Sequence, residues 1–374
     1  MAKINLAVIC GGRSVEHEVS LVSAKNILAA VDQQKYNLHL LAVAKDGSFR
    51  YYRNWQNFLN HPDDTNFVSL KPEGFTPVAF LSADARGQVL LLSETQEFLQ
   101  LDVVFPIMHG TFAEDGKMQG FLEMLNLPYV GPDVLASSIS MDKQVTKQLT
   151  DQAGIKSAKY LTFTSATRAE ITLESIEAAL GLPVFVKPAN SGSSVGISRA
   201  TDELSLYQAV EQAFSVDHKI LIEEAIVGRE IECSVLGNHG ALQAGEVGEI
   251  IPSSKHGFYS YDAKYLDEDG AALLIPAPLS PAKKKEVQEL AKQIFVTLNC
   301  EGMARVDFFL DGKDQVIFNE INTIPGFTKI SMYPKLMMAE TGLTYSALID
   351  QLIELAIKRH QRNSALLLEK KMVE

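Results

Sequence analysis

Over the first third of the chain, short apolar runs alternate with stretches whose apolar side chains recur at helical spacing. Ile4–Ile9 reads as a short buried strand, Glu18–Val31 as an amphipathic helix and Leu38–Ala44 as a second strand. Val103–Met108 is another buried strand, followed by the polar turn His109-Gly-Thr-Phe-Ala-Glu-Asp-Gly116 and a helix over Met118–Asn126. That alternation predicts an α/β domain with a parallel sheet over residues 1–131. From roughly Lys45 to Gln100 the helical period disappears and scattered aromatics remain, which reads as a β-rich insertion or lid.

A second domain, residues 132–224, opens with a helix from about Asp133 to Ala153. A strand over Pro183–Lys187 runs into Pro188-Ala-Asn-Ser-Gly-Ser-Ser-Val-Gly196, and a helix over Asp202–Phe214 and a strand over Lys219–Glu224 follow. A third, residues 225–374, has strands between Glu230 and Ile250, an irregular segment over Ile251–Pro278, a helix over Pro281–Leu298 and a C-terminal helix over Tyr345–His360. The polar last dozen residues read as a frayed end.

The most informative pattern lies late in the chain. Met303-Ala-Arg-Val-Asp-Phe-Phe-Leu310 and Val316-Ile-Phe-Asn-Glu-Ile-Asn322 read as two strands joined by the turn Asp311-Gly-Lys-Asp-Gln315. Alternation places Arg305 and Asp307 on one face of the first strand, and Glu320 and Asn322 on one face of the second. A hairpin would gather two carboxylates, an amide oxygen and a guanidinium in a small volume. Hard oxygen donors without His or Cys suit Mg²⁺ sharing its shell with phosphate. A pair of half-exposed strands with a solvated charged face is the competing reading, and the strongly apolar opposite faces argue against it.

Composition narrows the classes. A chain of 374 residues exceeds one ordinary core, and 46% hydrophobic residues describe a globular protein. The net charge of −12 argues against nonspecific nucleic-acid or acidic-membrane binding, so any phosphate must meet a few placed lysines. Three cysteines, Cys10, Cys233 and Cys300, without CxxC spacing suggest neither a disulfide framework nor a zinc site, and fit a reducing cytoplasm. The apolar start is too short for a signal peptide, and no run reaches the roughly 20 residues needed to cross a bilayer.

Ser191-Gly-Ser-Ser-Val-Gly196 follows a strand ending in Lys187, so its backbone N–H groups could close around phosphate while the lysine offsets charge. It matches neither the P-loop nor the dinucleotide fingerprint, and alone it is weak evidence. Ile220-Leu-Ile-Glu-Glu-Ala-Ile226 is a strand leaving toward a domain junction, where main-chain groups commonly read an adenine edge and Glu230 could reach ribose hydroxyls; a plain acidic strand end fits as well. Gly257-Phe-Tyr-Ser-Tyr-Asp-Ala-Lys-Tyr-Leu266 is a long aromatic-rich loop, read as a lid. Glu16, between the first strand and helix, could hold an ammonium group or merely complement the helix dipole. His109, at another strand end, is equally ambiguous.

Together these segments resemble the D-alanine–D-alanine ligases of the ATP-grasp superfamily, in their longer bacterial form, over nearly the whole chain. The matching stretches are Gly11-Gly-Arg-Ser-Val-Glu-His-Glu-Val-Ser20, His109-Gly with Glu114-Asp-Gly116, Met141-Asp-Lys143, Val186-Lys-Pro188 with Gly192-Ser-Ser-Val-Gly196, Tyr261-Asp-Ala-Lys-Tyr265, Arg305-Val-Asp307 and Asn319-Glu-Ile-Asn-Thr-Ile-Pro-Gly326. The resemblance implies a three-domain ATP-grasp architecture with an N-terminal Rossmann-like sheet and ATP between the second and third domains. It implies phosphate contacts from Lys143 and Lys187, adenine contacts from Glu223, Glu224, Ala225 and Ile226, and a ribose contact from Glu230. Ser193, Ser194, Phe258, Lys264, Phe309 and Asn319 would also touch the nucleotide. Asp307, Glu320 and Asn322 would hold two Mg²⁺ ions, which Mn²⁺ can replace. Glu16, with Ser193 and Tyr265, would orient the first D-alanine, and Ser331 would take the carboxylate of the second; His109, Lys264 and Arg305 would line the substrate sites. Arg305 and the Gly326 N–H would face the tetrahedral oxyanion.

The implied reaction joins two D-alanines through an acyl phosphate, for peptidoglycan precursors, in a cytoplasmic homodimer that binds no nucleic acid or membrane. Lys264-Tyr265 matches the pattern of peptide-forming members rather than the D-alanine–D-lactate ester-forming ones. The alternatives are another ATP-grasp carboxylate–amine ligase or that ester-forming cousin. A non-catalytic nucleotide sensor would need damaged metal ligands, and a dehydrogenase suggested by Gly11-Gly12 lacks its third glycine.

Overall fold

The computed structural model describes residues 2–60, 68–81, 87–93, 96–252 and 271–366. Strands Tyr36–Val43 and Val103–Pro106 pair in parallel on either side of Ile4–Gly11. Leu6 through Cys10 are fully buried, as expected of a strand covered on both faces. The stretch after Lys45 is β-rich: Phe49–Tyr52, Thr76–Phe80, Gln88–Leu91 and Phe98–Gln100 extend the same sheet in antiparallel fashion to seven strands.

Helix His17–Ala30 packs Leu21, Ala24, Ile27 and Leu28 into the core of this sheet. The C-terminal helix Tyr345–Ser364 enters the same core through Leu348, Ile349, Leu352 and Ile353. Arg359 ties that helix to the first lobe by donating to the carbonyls of Gly131 and Tyr129. The two ends of the chain therefore share one core.

A four-stranded antiparallel sheet, in the order Tyr160–Thr164, Lys219–Glu224, Val184–Pro188, Ser198–Ala200, carries helices Leu173–Leu180 and Glu203–Phe214. A five-stranded antiparallel sheet has Gly228–Asn238 at its centre, between Ala241–Pro252 and Gly302–Asp311, with Ala271–Leu274 and Val316–Asn322 at its edges. Helix Pro281–Thr297 packs Val287, Ala291, Ile294 and Phe295 against it.

Local structure departs from expectation in a few places. The helix expected over Asp133–Ala153 is two helices, Val134–Met141 and Lys143–Gln152, because Asp142 leaves the helical region and its carboxylate accepts from the N–H groups of Gln144 and Val145. An N-cap in mid-run ends one helix and starts the next. The strand Tyr160–Thr164 is half-buried at every position, so no alternation marks it. Helix Leu173–Leu180 was equally unmarked, although Thr172 and Ser175 form a capping box. Helix Met332–Thr341 was missed because Pro334 interrupts its pattern; Pro334 falls in the first turn, where a helix tolerates it. This helix lies so close to strand Ala241–Pro252 that a Cβ on Gly248 would stand 2.3 Å from Met332 Cε.

Candidate active site

The two late strands form the expected hairpin. Gly302–Asp311 pairs with Val316–Asn322 so that Arg305 stands opposite Asn322 and Asp307 opposite Glu320. An irregularity follows Asp307, and beyond it Phe308, Phe318 and Leu310 are buried in the core behind. On the open face Arg305 Nε and Nη2 grip the two oxygens of Asp307 at 2.8 and 2.7 Å. Glu232, on the neighbouring strand, comes within 3.0 Å of Arg305 Nε. Asn322 Nδ2 donates to Asp307 Oδ2 at 3.0 Å. Burial alone would lower the Arg305 pKa, but Asp307 and Glu232 outweigh it and raise it well above the usual value.

Asp307, Glu320 and Asn322 thus contribute two carboxylates and an amide from paired positions, without nitrogen or sulfur donors. That donor chemistry fits a hard divalent cation. Lys143 Nζ lies 3.8 Å from Glu320 and donates to the Ser191 carbonyl at 2.6 Å, tying the small-residue loop to the hairpin. Lys143 is the first residue of the helix that Asp142 caps, so the cap fixes where this ammonium group begins.

Two clefts meet here. One, of about 110 Å³, is bounded by Glu16, His109, Lys143, Ser193, Arg305, Asn322, Gly326 and Ser331. The other, of about 590 Å³, is bounded by Lys187, Ser194, Glu223, Glu224, Ala225, Ile226, Glu230, Asp307 and Phe309. Asn319 and Glu320 line both. Phe258, Lys264 and Tyr265 lie outside the described residues.

In the smaller cleft the Ser193 hydroxyl donates to Glu16 Oε1. Glu16 precedes helix His17–Ala30 but makes no side-chain cap to it, so its carboxylate is directed across the cleft. The fit is tight: a Cβ on Gly192 would lie 2.7 Å from Glu16 Oε2. Ser193 and Ser194 both have positive φ, as a loop turning its backbone inward requires. Ser331 accepts from the Thr328 N–H at 2.9 Å and stands where a Cβ on Gly326 would be 2.7 Å from its Oγ.

Two buried groups beside these carry unusual proton affinities. Burial, and then the nearby Glu16 charge, pushes the Glu114 carboxyl up to about 8. Burial holds His109 down to about 4, so its imidazole is neutral at pH 7. Its Nδ1 lies 2.9 Å from the Ile324 carbonyl, an acceptor, which assigns the proton to Nδ1.

The larger cleft is backed by a charge cluster of Glu223, Lys187 and Lys147, the last of which sequence reasoning missed. Glu223 is 3% exposed and lies between Lys187 Nζ at 2.8 Å and Lys147 Nζ at 3.4 Å. Burial would raise the Glu223 pKa, but the two lysines hold it at about 2. Lys187, despite burial, has its pKa raised by Glu223. Lys147, which is 2% exposed, has its pKa lowered by burial. Lys143 and Lys147 stand one helical turn apart, and that spacing was the available signal. Glu232 was likewise missed, and its alternation with Glu230 was the clue.

Family models describing the N-terminus and the C-terminus of D-ala D-ala ligase match residues 5–132 and 149–354. The D-alanine–D-alanine ligase of Shouchella clausii is 50% identical over 98% of this chain and 98% of its own. Among solved structures, the D-alanine-D-alanine ligase of Coxiella burnetii superposes with a TM-score of 0.82 at 37% identity, covering 97% of both chains. A D-Ala:D-Ser ligase of Enterococcus faecalis superposes at 0.81 with 34% identity, covering 95% of this chain and all of that one. With its mixed N-terminal sheet, its two antiparallel sheets and the two clefts meeting over an acidic hairpin, the chain belongs to the D-alanine–D-alanine ligase family of ATP-grasp proteins.

Proposed function

We propose that this chain joins two D-alanines to D-alanyl-D-alanine, converting ATP to ADP and phosphate, as a step toward peptidoglycan. The observation that carries the reading is the junction of the two clefts at Asn319 and Glu320, where Lys143, Lys187 and the hairpin carboxylates converge. An amino-acid cleft and a nucleotide cleft sharing one polyvalent wall is the arrangement that phosphoryl transfer to a carboxylate needs. Three units follow from the same reading: residues 1–131 for substrate, 132–224 and 225–374 for nucleotide.

Asp307, Glu320 and Asn322 would hold Mg²⁺ ions, whose charge supplies neutralisation of the terminal phosphates. The chain's own groups do the rest. Glu223, Glu224, Ala225 and Ile226 form the adenine wall, Glu230 faces the ribose, and Lys143 and Lys187 meet the phosphates. Glu16, oriented by Ser193, holds the ammonium of the first D-alanine, leaving its carboxylate toward the γ-phosphorus. In-line attack forms a C–O–P bond and releases ADP.

The amine of the second D-alanine, anchored by its carboxylate at Ser331, then attacks the acyl carbon. Arg305 and the Gly326 N–H meet the negative charge that develops on the carbonyl oxygen, and the C–O bond breaks to release phosphate. The amine proton leaves with the phosphate or to water. Tyr265 and Lys264 belong to a segment that would cover the clefts and keep water from the acyl phosphate. We infer a homodimer in the cytoplasm; among the described residues no helix is long and apolar enough to cross a membrane.

Mg²⁺-dependent phosphate release tests this, comparing D-alanine, L-alanine, and D-alanine mixed with D-lactate or D-serine. Robust release with D-alanine alone and formation of the dipeptide are expected. Turnover that requires D-lactate or D-serine would reject the amine acceptor assigned here, and equal use of L-alanine would reject the substrate assignment.

A further inference from the structure

The segment that follows the metal hairpin, Thr323-Ile-Pro-Gly-Phe-Thr328, carries the Gly326 N–H, yet its main-chain groups are gripped by side chains of the first lobe. The Ile324 N–H donates to Glu114 Oε1 at 3.1 Å, and the Ile324 carbonyl accepts from His109 Nδ1 at 2.9 Å. The Phe327 N–H donates to Ser23 Oγ at 3.2 Å, and the Phe327 carbonyl accepts from Asn26 Nδ2 at 3.1 Å. These residues come from helix His17–Ala30 and the turn after strand Val103–Pro106, some two to three hundred positions earlier in sequence.

The grips are linked to each other. Glu114 Oε2 accepts from the Gly110 N–H at 2.7 Å, beside His109. Ser23 Oγ, already accepting from Phe327, has its proton left to donate and lies 3.5 Å from His109 Nε2, the unprotonated nitrogen. Ser23 is fully buried, and it lies behind the cleft rather than on its wall. Phe327 itself is fully buried against Phe105 and Tyr333, so the segment has a packed side chain on one side and held main chain on the other.

We propose that Ser23 and Glu114 are positioning residues for the oxyanion: from the first lobe they fix the peptide groups on either side of Gly326 and so aim its N–H at the reacting carbonyl. The assignment of Gly326 rests on the function proposed above. His109, expected from sequence to touch substrate, serves the same clamp through its Nδ1. The clamp makes completion of the oxyanion site depend on the first lobe, which also carries Glu16. The donor is thereby aimed only where the lobe that orients the first D-alanine is docked. Loss of one grip leaves the N–H present but loosely aimed, and a misplacement on the order of 1 Å at a reacting group costs up to about a hundredfold.

Ser23→Ala removes an acceptor and no bulk beyond one oxygen. It is expected to lower kcat about ten- to a hundredfold while the KM for ATP changes less than about twofold. Affinity for a phosphinate analogue of the tetrahedral adduct should fall in parallel with kcat, and ADP affinity should hold. Glu114→Gln, which faces one of its two N–H donors with an NH₂ group, tests the other anchor with the same readouts and serves if Ser23→Ala folds poorly. An unchanged kcat, or a fall in kcat matched by an equal loss of nucleotide affinity, overturns the proposal. The unsubstituted protein assayed alongside separates the two readings: no dipeptide from it rejects the function, whereas full activity in both variants rejects the clamp alone.

Discussion

Replacing Glu223 with glutamine removes the carboxylate that lies between two buried ammonium groups, Lys147 at 3.4 Å and Lys187 at 2.8 Å. A carboxyl held at about 2 instead of its ordinary 4.5 corresponds to about 3 kcal/mol of native-state stabilisation at neutral pH. The folded value is the lower one, so this stabilisation is complete above the unfolded value and fades as pH falls toward the folded value. About 1 kcal/mol of it is gone near pH ~3.5. Glu223→Gln should therefore cost about 3 kcal/mol at neutral pH, in the range found when one partner of a buried pair is removed, and less in acid.

Lys147→Met alone should be close to neutral, because burial already disfavours that ammonium. In the Glu223→Gln background the same change should recover on the order of 1–2 kcal/mol, since it removes one of two cations left without their anion. Urea denaturation of the four proteins at neutral pH and near pH ~3.5 measures the cycle. A Glu223→Gln loss below about 1 kcal/mol, a loss equal at both pH values, or strict additivity would show that Glu223 does not hold the two ammonium groups in this way.

Other expectations follow from single contacts. Arg305→Lys keeps the charge but loses the two-pronged grip on Asp307; kcat in the phosphate-release assay should fall about 10²- to 10³-fold with little change in the KM for ATP. Gly192→Ala places a methyl 2.7 Å from Glu16 Oε2. It should raise the KM for the first D-alanine on the order of tenfold, about 1.4 kcal/mol, with the KM for ATP held, as D-alanine saturation curves will register.

How much of this was legible depended on whether a local pattern carried it. The hairpin could be read because Val306, Phe308 and Leu310 point one way along the strand while Arg305 and Asp307 point the other, and the observed register pairs Asp307 with Glu320. The parallel sheet could be read from apolar runs such as Ile4–Ile9, of which Leu6 through Ile9 are fully buried. Asp142 could not be read, because a lone Asp in a helical run looks like one more polar position until its carboxylate is seen capping Gln144 and Val145. Lys147 drew no reading from the sequence, because only the docking of strand Lys219–Glu224 buries it against Glu223. Glu114 and Ser23 lie 210 and 304 residues from the Ile324 and Phe327 peptide groups they hold, so no spacing rule could join them. The Lys264-Tyr265 motif was readable, but its place relative to the clefts is outside the described residues.

In the proposed reaction a substrate carboxylate takes the γ-phosphoryl group before the peptide bond forms. D-alanine labelled with ¹⁸O in its carboxylate tests it most directly, with mass analysis of the phosphate released during dipeptide synthesis. The carboxylate oxygen that attacks phosphorus leaves with it, so each phosphate should carry one ¹⁸O. Unlabelled phosphate, with dipeptide still formed, would contradict the account.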